Sequence, residues 1–271
     1  MKIAVMGEIH QDGWEVFKKN NIECFEILNF EEQNLIKALS DVNGILIRTA
    51  KLSKNVLLGC NKLKIVSRHG VGYDNVDLEF LNQNNIALSI TSTANAVSVA
   101  EHVLTSFLYL SKNIHLSDKL TREGGFNRKS DLPNFFELYQ KNIVIFGFGR
   151  IGQAVAKRCL GFEANVYVYD PFINKNFIRE SNCKIIEKID GLKIADYVSI
   201  HLPLNSGTKN FIDLDELSVM KETAIVVNTA RGGIINEVAL VKALEDKKIL
   251  GAGLDVFEKE PPDENHPLFK L

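Results

Sequence analysis

The sequence predicts an α/β protein built from two doubly wound, parallel-sheet domains with a cleft between them. Two observations carry this. Short, near-continuous apolar runs alternate with helical stretches through all 271 residues, as expected of parallel strands buried on both faces between crossover helices. The alternation also breaks once, around Thr91–Asn95, and then restarts.

The elements follow in order. The runs KIAVMG (2–7), GILIRT (44–49), LKIVSR (63–68) and IALSI (86–90) read as strands, and Asp12–Asn20, Glu31–Leu39 and Leu78–Asn84 read as helices between them. In ANAVSVAEHVLTSFLYLSK (94–112) apolar residues stand at 96, 97, 99, 100, 103, 104, 107, 108 and 110. That stripe is too broad for a simple surface helix; a long helix buried between domains or between subunits is expected. A polar, irregular arm follows, REGGFNRKSDLPNFFELYQ (122–140). The second series runs through KNIVIFGFGRIG, ANVYVYD, ADYVSIHLPL, TAIVVNTARGG and ILGAGLDVF.

Composition narrows the function classes. Apolar residues make up 45% and charged residues 24%, with a formal net charge of -2, so nothing draws the chain to nucleic acid or to an anionic membrane. No apolar run reaches the roughly 18 residues of a membrane span, and the N-terminus lacks the apolar region of a secretory signal. Cys24, Cys60, Cys159 and Cys183 stand far apart without a C-x-x-C pair, which reads as reduced thiols in a cytoplasmic protein. No metal site is expected.

One motif carries chemistry. GFGRIG supplies Gly147, Gly149 and Gly152 as G-x-G-x-x-G, preceded by the strand NIVIF and followed by the helix QAVAKRCLGF. The next strand, NVYVYD, ends in Asp170, 18 residues after Gly152. This is the layout of a Rossmann dinucleotide site. Gly147 permits the tight turn, Gly149 lets the backbone approach a pyrophosphate, and Gly152 allows close helix–strand packing. The helix N-terminus offers amides and partial positive charge to phosphates. Asp170 is suited to accept both adenosine ribose hydroxyls and to repel a 2′-phosphate, which favours NAD over NADP. Arg150 and Ile151 lie inside the turn; Arg150 either touches phosphate or is solvated.

Several separate stretches resemble one family. RHGVGYDNVDL (68–78), GFGRIG with Asp170, VSIHLPL (198–204), NTARGGIINE (228–237) and GAGLDVFEKEPP (251–262) match the D-2-hydroxyacid dehydrogenases in order and spacing, the D-3-phosphoglycerate dehydrogenase branch of serine biosynthesis above all. The resemblance implies Rossmann/flavodoxin-like domains: residues 1–93 as the substrate domain, lacking its usual C-terminal helix, and 94–271 as the NAD-binding domain. It implies hydride transfer between NAD and a small anionic D-2-hydroxy or 2-oxo acid, 3-phosphoglycerate first and glyoxylate or hydroxypyruvate second, in a homodimer.

The resemblance also assigns roles. Arg231 clamps the substrate carboxylate, for which a planar guanidinium is apt. The Val71 and Gly72 amides meet the same carboxylate. Arg48 and Arg68 either hold the substrate's anionic end or are solvated. Asp255 bonds the nicotinamide carboxamide, and His201, Pro203, Thr229 and Ala230 line the cofactor. Glu260 is the catalytic carboxylate, which orients a histidine and raises its pKa; its neighbour Glu258 reads as solvated. The family's proton-transferring histidine falls beyond Leu271. His266 reads as part of a surface HPL turn, His201 as a positioning group, and His69 and His102 as possible substitutes. Two readings stay open: a dehydrogenase whose chain continues past Leu271, or an NAD-sensing or partner-binding module of the kind the C-terminal-binding-protein corepressors show.

Overall fold

A computed structural model describes residues 1–271, the side chain of Lys129 excepted. The chain divides into two compact units, Met1–Asn95 and Ala96–Leu271.

The first unit alternates strand and helix throughout: β1 (Lys2–Met6), α1 (Gln11–Lys19), β2 (Glu23–Ile27), α2 (Glu32–Leu39), β3 (Gly44–Ile47), α3 (Lys54–Leu58), β4 (Ile65–Arg68), α4 (Leu78–Gln83) and β5 (Ala87–Ile90). All pairings are parallel, in the order β2-β1-β3-β4-β5. That is the flavodoxin-like winding. Ala4 and Met6 of β1, Ile45 and Ile47 of β3 and Val66 of β4 face one core with Leu35 and Leu39 of α2, Val56 and Leu57 of α3, and Phe80 and Leu81 of α4. Side chains start two of these helices, Ser53 accepting from Val56 N and Asp77 from Phe80 N, the usual role of short polar residues at N-caps.

Two strand expectations change. β2 has no counterpart among the expected elements, because its sequence ECFEI is half polar, as suits an edge strand with one solvated side. β5 was expected to be buried on both faces. It lies at the opposite edge, and Ala87, Ser89 and Ile90 are exposed. An apolar run reports the tendency to pair, not the place in the sheet.

The second unit opens with α5 (Ala96–Ser111) and α6 (Ile114–Arg122), and continues through β6 (Asn142–Phe146), α7 (Arg150–Gly161), β7 (Asn165–Tyr169), α8 (Lys175–Glu180), β8 (Lys184–Ile185), α9 (Lys188–Ile194), β9 (Tyr197–Ile200), α10 (Leu214–Ser218), β10 (Ile225–Asn228), α11 (Glu237–Glu245) and β11 (Gly251–Leu254). Its six strands are parallel, in the order β11-β10-β9-β6-β7-β8, which is the Rossmann winding with β6 as first strand. Period-two alternation divides the side chains between two cores. Ile143, Ile145, Ile225 and Val227 face α5 and α7. Val144, Phe146, Val226 and Ile200 face Leu192 of α9, Leu217 of α10 and Leu240 of α11.

α5 buries Ala100, Val103, Leu104, Phe107 and Ser111 and leaves Val97 and Tyr109 exposed. α6 was not expected; it buries no residue. The arm expected over 122–140 holds a short 3-10 stretch, Phe126–Asp131, kinked at Arg128, and is otherwise irregular up to β6. All four cysteines are free. Burial pushes the thiols of Cys60 and Cys183 up to about 11 and that of Cys159 up to about 12, so these three stay protonated and unreactive near neutral pH.

Candidate functional site

The site in the second unit is built at the C-terminal ends of its strands. After β6 the chain turns at Gly147, whose φ of 92° suits glycine and whose added Cβ would stand 2.5 Å from the His201 carbonyl oxygen. A Cβ on Gly152 would run into the Gly147 carbonyl, whereas one on Gly149 would meet nothing within 4 Å. Two glycines therefore close the turn on itself, and the third faces open space. Gly149 caps α7 with no side chain bonded to the first-turn amides. Open backbone and unused amides at a helix N-terminus fit a pyrophosphate. Arg150 is exposed at the start of α7, and Ile151 is half-buried against the core.

Asp170, just past β7, is already bonded. Its Oδ2 accepts from Phe148 N at 2.8 Å and its Oδ1 from Phe172 N at 2.9 Å. It thus ties the glycine turn to the end of β7, with lone pairs left for a ribose. Phe172 itself is 95% exposed.

Past β9, His201 Nε2 lies 2.7 Å from Ser199 Oγ, and Nδ1 is buried with no hydrogen-bond partner among the described residues. Burial lowers its pKa to about 3. It is therefore neutral at physiological pH, which removes it as a cationic proton donor. Pro203 is exposed, and its carbonyl accepts from Thr208 Oγ1 at 2.5 Å, closing the PLNSGT turn. Thr229 Oγ1 is likewise buried without a partner. An unpaired buried polar atom costs about 1–3 kcal/mol, so both atoms mark places where a ligand or water belongs.

Past β10, the turn carrying Arg231 is organised by Asn228, which the sequence reading passed over. Its Oδ1 accepts from Ala230 N and its Nδ2 donates to Arg231 O. The signal was present in NTARGG: an asparagine at a strand end commonly closes a turn on its own following backbone. Arg231 Nη1 donates to Ala230 O at 2.6 Å. Gly232 is required by close approach, since a Cβ there would meet the Phe257 carbonyl. Beside it lies a pocket of about 320 Å³, lined by Leu204, Asn205, Lys209, Gly233 and Glu258 among others. Past β11, Asp255 N donates to Asn228 O at 3.1 Å, and its Oδ1 stands 3.8 Å from His102 Nε2.

Glu260 is exposed, and its Oε1 accepts from Phe257 N at 3.1 Å. Glu258 is not merely solvated, as expected. Its N donates to Glu237 Oε1 at 2.6 Å and its Oε1 accepts from Glu237 N at 3.1 Å. His266, in the HPL turn, is partly buried, its Nε2 3.1 Å from Glu237 Oε2.

The remaining candidates lie in the first unit. Arg48 follows β3, next to β1, where the winding reverses; its Nη1 reaches toward Glu8 O at 3.5 Å. Open α/β sheets bind ligands at such a switch point. Arg68 ends β4 and folds over Gly70, its Nη1 donating to His69 O at 2.5 Å. Val71 and Gly72 follow directly and are half-buried.

Comparison with known proteins agrees with this architecture. Residues 104–271 match the family model of the D-isomer specific 2-hydroxyacid dehydrogenase NAD binding domain. The chain is 34% identical to a D-3-phosphoglycerate dehydrogenase of Archaeoglobus fulgidus over 272 aligned residues, covering 100% of this chain and 51% of that protein. So it spans about half the length of such relatives. Among solved structures, an NAD-dependent formate dehydrogenase from Staphylococcus aureus in complex with NAD superposes with a TM-score of 0.84 at 31% identity, covering 100% of this chain and 86% of that one. A glyoxylate reductase from Paecilomyes thermophila gives 0.87 at 25%, covering 100% and 85%. With two parallel sheets, a glycine cradle after the first strand of the second, and this likeness along its length, the chain belongs to the D-isomer specific 2-hydroxyacid dehydrogenase family.

Proposed function

We propose that the protein is an NAD-dependent dehydrogenase interconverting 3-phosphoglycerate and phosphohydroxypyruvate. The observation that carries this reading is the grouping at the strand ends of the second unit. The glycine cradle, Asp170, Arg231 and Asp255 follow β6, β7, β10 and β11 of one parallel sheet. The choice of substrate is supported by the likeness to D-3-phosphoglycerate dehydrogenase along the chain.

In this reading Gly147, Gly149, Gly152, Arg150 and Ile151 cradle the pyrophosphate, Asp170 holds the adenosine ribose, and His201, Pro203, Thr229 and Ala230 line the remainder. NAD, when bound, supplies a hydride acceptor. Asp255 grips the carboxamide and so fixes which face of the nicotinamide is presented. Arg231 binds the substrate carboxylate through its planar fork and polarises the C2 oxygen. Val71 and Gly72 offer backbone amides to the carboxylate, and Arg48 and Arg68 serve the phosphate end. Glu260 orients the histidine that takes the C2 hydroxyl proton, raising its pKa. Among the described residues none of the histidines is bonded to Glu260, and His201 and His266 are engaged with Ser199 and Glu237.

The test is NADH oxidation by the full-length protein with phosphohydroxypyruvate, hydroxypyruvate and glyoxylate in parallel. Phosphohydroxypyruvate is expected to give the highest kcat/KM. A clear preference for an unphosphorylated acid would replace this substrate with the second reading, a glyoxylate or hydroxypyruvate reductase, which the structural likeness to a glyoxylate reductase favours.

A further inference from the structure

The helix α5 crosses β11 in register. A Cβ on Gly251 would stand 3.6 Å from Leu110 Cδ2, and one on Gly253 would stand 3.0 Å from Ser106 Cβ. Two residues further along the chain, just past β11, is Asp255; four residues back along the helix is His102. Two strand residues advance about 6.6 Å and four helix residues about 6 Å, so the three pairs form one ladder. The absence of side chains at 251 and 253 lets α5 lie close to the strand. At the open end of this ladder, His102 Nε2 approaches Asp255 Oδ1 at 3.8 Å, with both side chains about half exposed.

Both members are held from behind. The Ser106 hydroxyl donates to His102 O at 3.0 Å, and Glu101, next to His102, is paired with Arg158 of α7 at 3.2 Å. Asp255 N is tied to Asn228 O of β10 at 3.1 Å. The imidazole and the carboxylate thus meet because two packed elements bring them together.

We propose that His102 is a positioning residue for Asp255. By holding Oδ1, the imidazole turns Oδ2 outward as the acceptor for the nicotinamide carboxamide. This rests on the reading of Asp255 given above. The separation is longer than a hydrogen bond, and ligand-free sites often tighten such contacts on binding. Exclusion of water by a bound nicotinamide strengthens the contact, because a hydrogen bond to a carboxylate is stronger where the local dielectric is low.

The experiment compares the dissociation constants of NADH and of ADP-ribose, which lacks the nicotinamide, for the wild type, His102→Ala, His102→Gln and Asp255→Ala. His102→Ala is expected to weaken NADH about two- to fivefold, the range of a half-exposed polar contact to a carboxylate, and to leave ADP-ribose unchanged. His102→Gln, which keeps a donor, recovers part of the loss. In the Asp255→Ala background, His102→Ala adds nothing, as a shared interaction requires. Unchanged NADH binding in His102→Ala overturns the proposal, as does an equal loss for NADH and ADP-ribose. If Asp255→Ala itself leaves NADH binding unchanged, it is the reading of Asp255 that fails, a result separable from the role of His102.

Discussion

In the proposed reading Asp170 does two jobs with one carboxylate. It holds Phe148 N and Phe172 N, and the proposed ribose contact would use its remaining lone pairs. Replacing it with alanine removes the ribose acceptor, removes the charge that opposes a 2′-phosphate, and orphans the amide of Phe148, a residue that is fully buried. Hydrogen bonds to a charged group are worth about 1.5–3 kcal/mol. Asp170→Ala is therefore expected to weaken NADH binding by about tenfold or more and to narrow the gap between NADH and NADPH, both read by fluorescence titration. An unchanged NADH/NADPH ratio would count against the ribose role. His201 shows a different constraint. With its pKa lowered to about 3 by burial, it works as a neutral hydrogen-bonding group beside the cradle.

At the scale of elements, the segment after β11 is clamped to the start of α11. Glu237, in the first turn of that helix, accepts from Glu258 N and pairs with His266, while its own N donates to Glu258. Phe257, His266 and Phe269 pack their rings together around this point, with centroids 5.6–5.7 Å apart. The clamp fixes both ends of the loop that contains Glu260. A carboxylate in the first turn also suits the helix dipole. Glu237→Ala should lower stability by about 1–3 kcal/mol, the cost of leaving such partners unsatisfied, measured as the urea midpoint at constant slope. Glu237→Gln, which keeps an acceptor, should lose less. A midpoint unmoved by the alanine change would mean that the clamp contributes no stability.

For the molecule as a whole, the second unit carries large apolar side chains that its own core leaves uncovered. Tyr109 of α5, Ile114 of α6, and Phe126, Phe135 and Tyr139 of the arm are all exposed, Phe126 at 69%. Exposed aromatic groups clustered along one stretch of chain commonly mark a protein interface. This supports the proposal of a homodimer through α5, α6 and the arm. Light scattering is expected to give a mass near twice that of one chain, and a monomer at micromolar concentration would remove the proposal. No helix among the described residues is long and apolar enough to cross a membrane.

Much of this was legible in the sequence. Buried parallel strands must be continuously apolar, so β1, β3, β6, β9 and β10 announced themselves, and close backbone approach demands glycine, so GFGRIG and RGG marked their turns. Half-polar β2 carried no such signal. Nor did strand order, which left the exposure of β5 at the sheet edge to the tertiary fold. The same holds for partners distant in sequence. Glu258 was assigned to solvent because its partner, Glu237, is 21 residues away. His102 met Asp255 only once α5 lay across β11 in register. The sequence by itself determined the glycine turn and the strand–helix frame of an NAD-binding domain, because that frame is encoded in local spacing. Only the tertiary structure decided which side chains steady them, because those contacts depend on how separate elements pack.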